Sequence, residues 1–101
     1  MAINLKAITS VMGYQQITSL SSATKLTVPQ KDLSGLAGTP RIAIITPEGQ
    51  AVRWRDDGVA PTASVGMPLA VGVTLQYDGD INQIQFIEQV GGAKLNITYY
   101  S

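Results

Sequence analysis

The sequence predicts an all-β fold, either a small antiparallel β-sandwich or a small barrel. Three observations support this prediction: short alternating apolar and polar segments follow one another about every ten residues, turn-forming Gly, Pro and Asp separate them, and helical periodicity is scarce. With 101 residues the chain has the length of one domain, and a domain of this size can bury a core without disulfides or a structural metal.

The clearest alternation lies in three segments of the C-terminal half, 73–77, 81–88 and 94–100. Short turns that contain Gly separate these segments, whereas parallel neighbours would need long crossover connections. The three segments are therefore predicted to form an antiparallel meander. The residues expected to point inward are Val73, Leu75 and Tyr77 in the first segment, Ile84 and Phe86 in the second, and Leu95, Ile97 and Tyr99 in the third.

Two segments in the middle of the chain, 41–46 and 51–55, flank the turn composition Pro-Glu-Gly-Gln. This pattern predicts a hairpin. In its second strand Trp54 falls on the apolar face, and Arg53 and Arg55 fall on the opposite, basic face. The burial typical of Trp favours a core position for Trp54, while an exposed stacking platform is the alternative.

The N-terminal part of the chain is less regular. Residues 24–28 predict another short strand, residues 14–20 predict a weaker one, and residues 31–38 allow one helical turn at most because two Gly interrupt them. Residues 1–13 are expected to form an extended N-terminal arm or an edge strand, followed by an antiparallel β-domain over residues 14–101. Six or seven strands of this kind predict a jelly-roll-like sandwich or barrel.

The composition excludes most familiar enzyme chemistry. The chain has no His and no Cys, so thiolate or imidazole metal sites, thiol nucleophiles and Ser-His-Asp triads are absent. Seven basic and seven acidic residues give a net charge of zero, which argues against a nucleic acid partner. No apolar run reaches the roughly 18–20 residues of a membrane span. We therefore expect a protein that is not an enzyme and that needs no cofactor, nucleic acid or membrane.

Two acidic turns are the candidate sites for a cation or for catalysis. Asp56 and Asp57 lie in one turn, and Asp78 and Asp80 lie in the other. Carboxylates from loops suit calcium, but the full ligand pattern with a distal Glu is missing and both segments have ordinary turn compositions. Adjacent carboxylates also do not provide the opposed pair that glycoside hydrolysis uses. We expect no metal and no catalytic residue.

Three sets of residues are candidates for an interface with another chain. The long uncharged segment 58–68 is apolar and rich in Pro and Gly, and loops of this length commonly contact partners. Two arginines beside two carboxylates also suit a subunit interface, and the N-terminal segment is apolar without belonging to a clear core strand. The candidate interface residues are Ile3, Leu5 and Ile8, then Arg53 and Arg55, then Val59, Pro61, Val65 and Met67.

Several short motifs in residues 40–101 occur in an unusual combination. They are Gly-Gln-Ala-Val-Arg-Trp-Arg-Asp-Asp-Gly at 49–58, Ala-Pro-Thr at 60–62, Gly-Met-Pro-Leu at 66–69, Tyr-Asp-Gly-Asp at 77–80, Ile-Gln-Phe-Ile at 84–87, Gly-Ala-Lys-Leu at 92–95 and the terminal Tyr99-Tyr100. This combination resembles small virion structural proteins of tailed bacteriophages and prophages. The resemblance implies a virion β-domain similar to capsid cement, or decoration, proteins, and it carries over no catalytic position.

The resemblance also implies a function and a location. A cement protein binds and stabilises the outer surface of the phage head, so its partner is the major capsid protein or another virion protein, and it assembles as a trimer or dimer. Because the N-terminus lacks a secretory signal, synthesis is expected in the bacterial host cytoplasm and residence on the capsid surface. The alternatives are a tail, baseplate or head-fibre component, or a carbohydrate- or receptor-binding module that uses Trp54, Tyr100 and the arginines.

Overall fold

The computed structural model describes residues 10–101, in which it has eight β-strands and no helix. The prediction of an all-β fold is therefore confirmed. The strands are β1 (Val11–Ile17), β2 (Thr24–Lys25), β3 (Ile42–Glu48), β4 (Val52–Arg55), β5 (Met67–Leu69), β6 (Leu75–Tyr77), β7 (Gln85–Glu88) and β8 (Lys94–Tyr100).

The strands form two antiparallel sheets of four strands each. Sheet I has the order β1-β8-β3-β6, and sheet II has the order β2-β7-β4-β5. Strand 1 thus pairs with 8, 2 with 7, 3 with 6 and 4 with 5, which is the pairing of one long antiparallel ribbon rolled into a sandwich. This arrangement is the jelly-roll-like sandwich that the sequence predicts.

Two predictions of local pairing are wrong. Strands β3 and β4 do not form a hairpin, because β3 lies in sheet I and β4 lies in sheet II. The last three strands do not form a meander either, since β6 and β8 belong to sheet I and β7 belongs to sheet II. In each case the chain crosses between the sheets at the short turn instead of pairing back on itself.

Four short connections between the sheets, β1–β2, β3–β4, β5–β6 and β7–β8, lie at one end of the sandwich, which we call the corner end. Glu48 pairs with Lys94 in sheet I, and Val52 pairs with Glu88 in sheet II, so two chain segments turn the corner side by side. Gly49 takes a φ of 82° at this corner, and a Cβ on it would lie 2.8 Å from the Gly92 carbonyl oxygen. A glycine is required there both for the backbone conformation and for the close approach.

The core lies between the two sheets and matches the inward face predicted for the C-terminal strands. Leu95 and Ile97 are fully buried, as are Ile84 and Phe86. Tyr99 is also buried, and its hydroxyl donates a 2.7 Å hydrogen bond to Oε1 of Gln15. Burial raises the pKa of this phenol above its usual range.

Two segments of the N-terminal half are compatible with their predictions, whereas Val73 is not. Strand β1 begins at Val11 with a bulge between Val11 and Gly13, so residues 11–13 of the predicted arm or edge strand start an edge strand, while residues 1–9 lie outside the described part of the chain. Val73 precedes β6 at the corner and is exposed, not inward-facing. Residues 31–38, for which the sequence allows one helical turn at most, contain no helix, and Lys31 and Ala37 make an isolated antiparallel bridge.

Candidate functional site

The end of the sandwich opposite the corners, which we call the loop end, carries the candidate site. The loops between β2 and β3, β4 and β5, and β6 and β7 meet there, together with Ser10 and Ser101. Since β1 and β2 form one lateral edge of the sandwich and β5 and β6 form the other, the β4–β5 loop lies at the β5–β6 edge. Of the predicted interface residues, Val59, Pro61 and Val65 lie in this loop, and Arg53, Arg55 and Met67 lie on the two strands that flank it.

Arg53 fixes the β4–β5 loop onto its own strand. Its Nε donates to the Ala63 carbonyl oxygen at 3.1 Å, and its Nη1 donates to the Gly66 carbonyl oxygen at 2.9 Å. Pro61 is buried beside Gly66, where an added Cβ would lie 3.2 Å from the Cβ atoms of both Pro61 and Arg53. Arg53 and Pro61 therefore hold the loop in place, and Pro61 is not part of the exposed surface predicted for it.

Arg55 is paired within the chain. Its Nε donates to Oδ1 of Asp57 at 3.0 Å, and a second short hydrogen bond joins the same two side chains. The hydrogen bond from Arg55 is the main cause that lowers the pKa of Asp57 below its usual value. This ion pair is exposed to solvent at the loop end, so we expect it to contribute little to the free energy of folding.

Trp54 is neither fully buried nor a free platform. One part of its side chain packs against the core, and its ring meets the Tyr77 ring edge to face, with centroids 6.0 Å apart. The Tyr77 hydroxyl donates a 2.8 Å hydrogen bond to Oδ2 of Asp56. Burial, followed by this hydrogen bond, raises the pKa of Tyr77 to about 12. The exposed Asp56 therefore holds the hydroxyl of the buried Tyr77.

An apolar groove lies next to Trp54 at the β5–β6 edge. It has a volume of about 450 Å³, and Trp54, Val65 and Met67 provide its apolar walls while Arg55 and Asp57 lie on its rim. Met67 pairs with Trp54 across the β4–β5 ladder, which places both residues on one face of sheet II. The groove includes three of the predicted interface residues, Arg55, Val65 and Met67.

The groove lies at an edge of the sandwich that an uncharged segment of the sequence forms, and we call this edge the apolar edge. The sequence has no charged residue between Asp57 and Asp78, and this run supplies the β4–β5 loop, β5, the β5–β6 corner and β6. The sequence indicates the loop residues of this edge. It does not indicate the β5–β6 corner, because the alternation of residues 73–77 places Val73 on an inner strand face. The exposed large apolar side chains of this edge are Val59, Val65, Met67, Val71 and Val73.

A second, more polar cleft of about 530 Å³ lies in the middle of the loop end. Arg41, Asp78 and Asp80 line it. Within residues 10–101 no three acidic side chains come close enough together to hold a metal ion. Among the described residues the cleft therefore has side chains of both charges but no cluster of metal-ligating groups.

The residues of the alternative carbohydrate platform are not brought together. Trp54 lies on β4 of sheet II, whereas Tyr100 lies on β8 of sheet I and pairs with Val11 and Ile42. The two arginines occupy the opposite face of β4 from Trp54 and contact the β4–β5 loop. The predicted interface residues Ile3, Leu5 and Ile8 lie outside the described residues.

Comparisons with known proteins do not identify a family. The chain matches no protein-family model, no curated protein and no solved structure. From Ser10 to Ser101 the structure has no helix long and apolar enough to cross a membrane.

Proposed function

We propose that this protein is a structural protein of a bacteriophage virion, and that it acts as a cement protein on the outer surface of the capsid. The observation that carries the proposal is the apolar edge. Five large apolar side chains are exposed along one side of a small domain, and all of them lie in a segment of the sequence that has no charged residue. Exposed apolar side chains grouped on one edge favour a site where another protein binds, and edge strands without charge are otherwise prone to unwanted pairing.

The fold supports the proposal by analogy. Eight-stranded jelly rolls are common in viral capsid proteins, and they also occur in lectins and cupins, so the fold alone does not assign a function. The resemblance of residues 40–101 to small virion proteins favours the viral member of this set. The fixed β4–β5 loop also suits a docking surface, because Arg53 holds its backbone in one conformation before any partner binds.

The mechanism of a cement protein is the addition of interface area. Each copy would bury its apolar edge against the major capsid protein, and a stable contact typically buries about 1,600 Å² in total. Many copies on one shell, and contacts among the copies themselves, multiply the free energy that opposes internal pressure. No covalent chemistry and no cofactor are needed.

The direct test is co-sedimentation with expanded, undecorated capsids of the phage or prophage that encodes the chain. We expect the intact protein to sediment with these capsids and the double variant Val71→Asp/Val73→Asp to bind about tenfold or more weakly, because carboxylates would be placed in an apolar contact. Val90→Asp is the matched control, since Val90 is 62% exposed in the β7–β8 connection, away from the apolar edge.

Two outcomes would contradict the proposal. If the intact protein fails to bind these capsids and instead assembles with tail or baseplate proteins, the alternative virion location replaces the cement function. If the edge variant and the Val90 control bind equally well, the apolar edge is not the docking surface. Thermal melting of each variant establishes that the domain is folded.

The N-terminal segment has its own test. Removal of residues 1–8 should leave the thermal transition of the domain nearly unchanged, since the sequence assigns these residues to no clear core strand. We expect the truncated protein to bind capsids more weakly than the intact protein, because Ile3, Leu5 and Ile8 are predicted interface residues. Equal capsid binding by both proteins would remove this segment from the interface.

A further inference from the structure

Strand β1 is the longest edge strand of the sandwich. The edge strands are β1 and β6 in sheet I and β2 and β5 in sheet II. β1 has seven residues, whereas β5 and β6 have three each and β2 has two. Among the described strands β1 pairs only with β8. One side of its backbone therefore has no described strand beside it.

The edge formed by β1 lacks the features that usually prevent an edge strand from pairing with another chain. Such features are a very short strand, a charged side chain or a proline. β2 combines a length of two residues with Lys25, and β5 contains Pro68. β1 has neither, and the sequence has no charged residue from 7 to 24. A bulge interrupts only the start of β1, so residues 14–17 form a regular edge.

Two hydrogen bonds show which backbone groups of β8 point towards β1. The N–H of Arg41 donates to the carbonyl oxygen of Tyr100, so the backbone of Tyr100 points towards β3. The N–H of Ser101 donates to the carbonyl oxygen of Ser10, so the next residue points towards β1. Successive residues of a strand direct their backbone groups to opposite sides. Leu95, Ile97 and Tyr99 therefore bond with β1.

This alternation determines the free backbone groups of β1. Gln15 pairs with Ile97 and Ile17 pairs with Leu95, so these two residues of β1 direct their N–H and C=O groups towards β8. Tyr14 and Gln16 alternate with them. Their N–H and C=O groups therefore point outward, away from the sheet.

The side chains of the same two residues leave the edge open. The hydroxyl of Tyr14 donates a 2.6 Å hydrogen bond to Oδ1 of Asn96, and Nε2 of Gln16 donates to the same oxygen at 3.0 Å. Asn96 lies on β8. Both side chains therefore lean over β8, on the outer face of sheet I, and not over the free edge.

We propose that an extended, uncharged segment of the major capsid protein adds to β1 as a fifth strand of sheet I. Outward N–H and C=O groups on alternate residues match the main chain of an extended polypeptide, which supplies the same groups at the same spacing. β1 has no charged side chain for a cross-strand ion pair, which favours an uncharged segment. This inference rests on the proposed function, in which the capsid protein is the partner.

The first test is hydrogen exchange of the full chain, free and bound to expanded, undecorated capsids, measured at single amides. In the free protein the amides of Gln15 and Ile17 should be protected, because they bond with β8, and those of Tyr14 and Gln16 should exchange fast. Capsid binding should raise the protection factors of Tyr14 and Gln16 at least tenfold. Protection of these two amides already in the free protein would overturn the proposal, since something other than the capsid would then cover the edge.

The second test removes one outward N–H group. Gln16→Pro should keep the β1–β8 pairing, because an edge strand tolerates proline where the N–H faces away from the sheet. It should bind capsids at least tenfold more weakly, because the added strand loses a hydrogen bond and meets the proline ring. Gln16→Thr is the matched control, since it changes the same side chain and keeps the N–H, and it should bind like the intact protein. Equal binding by the two variants would overturn the added strand.

The outcomes separate the added strand from the cement function. Capsid binding that leaves the exchange of Tyr14 and Gln16 unchanged would overturn the added strand alone. Failure of the intact protein to bind capsids would overturn the proposed function, and the capsid strand with it. Thermal melting shows whether each variant is folded, and if Gln16→Pro does not fold, the exchange experiment on the intact protein decides.

Discussion

The two ends of the sandwich are built differently. At the corner end, four short connections carry the chain between sheets, and backbone packs against backbone where Gly49 meets Gly92. At the loop end, three longer loops carry exposed leucines, valines and an ion pair, and side chains such as Arg53 and Asp32 hold the loops in shape. The difference indicates that close backbone contacts constrain the corner end, whereas side-chain hydrogen bonds shape the longer loops at the other end.

The largest expected effect concerns the core that both ends share. Ile97 lies inward on β8 and is fully buried, while the neighbouring Asn96 lies on the outer face. Ile97→Asp should prevent folding, because an unpaired buried carboxylate costs more than about 4–5 kcal/mol, and we expect the same for Leu95→Asp. Loss of the cooperative thermal transition measures this.

Asn96→Asp is the register control for that prediction. Nδ2 of Asn96 donates to Oε1 of Glu48 at 3.1 Å, so a carboxylate there would face another carboxylate and lower the stability by a modest amount. The domain should still fold. An Asn96→Asp protein as disrupted as Ile97→Asp would mean that the observed register of β8 is wrong.

The next largest effect tests the corner end. Gly49→Ala should lower the free energy of unfolding by about 2–4 kcal/mol, since it combines a left-handed backbone position with overpacking against a backbone oxygen. Gly38→Ala at the loop end is the control, because a Cβ there meets nothing within 4 Å. Urea unfolding of both variants measures the difference, and equal losses would show that the corner is not a tight constraint.

The positions of the strands in this fold are easier to predict from the sequence than the pairing between the strands. Alternation in 94–100 specifies both β8 and its buried face, and the burial of Ile84 and Phe86 follows from the same pattern. A short Pro-Gly turn, however, has the same composition in a hairpin and in a crossing between sheets. The pairing of Glu48 with Lys94 depends on residues far apart in sequence, which a local pattern does not contain.

The candidate surface was partly predictable for a similar reason. The uncharged run from residue 58 identifies Val59, Val65 and Met67 as exposed apolar residues. Composition does not show that Arg53 turns back to hold the loop and buries Pro61 beneath it, since this depends on the fold of the loop. The sequence does not indicate strand β5, because Gly66 and Pro68 are typical of a loop.

A smaller effect at the loop end appears at high pH. The pKa of Tyr77 is raised in the folded protein to about 12, mainly by burial and then by its hydrogen bond to Asp56. Because the folded pKa lies above the ordinary value of 10.0, the stabilisation from the neutral phenol is complete below pH 10 and is lost as the pH rises towards 12. The urea midpoint should therefore fall over this range.

Tyr77→Phe sharpens the alkaline prediction. The variant lacks the titrating hydroxyl, so its midpoint should fall less steeply above pH 10, and the remaining slope should come from other phenols, including the buried Tyr99. Identical slopes for the variant and the intact protein would mean that Tyr77 titrates normally.

The smallest expected effect concerns the turn at residues 31–37, where the Asp32 side chain binds backbone N–H groups, at low pH. The hydrogen bond from the Ser34 hydroxyl is the largest cause that lowers the pKa of Asp32 from its ordinary value of 3.8. Because the folded pKa is lowered, the stabilisation from the ionised carboxylate is present above pH 3.8 and is lost as the pH falls through the folded value. The protection factors of the Ser34 and Leu36 amides, taken relative to the intrinsic exchange rate at each pH, should fall there while the core remains protected, since local opening needs less free energy than global unfolding. Asp32→Ala should show the same low protection factors already at pH 7. If the two amides of the variant stay as protected as in the intact protein, the Asp32 carboxylate does not order the turn.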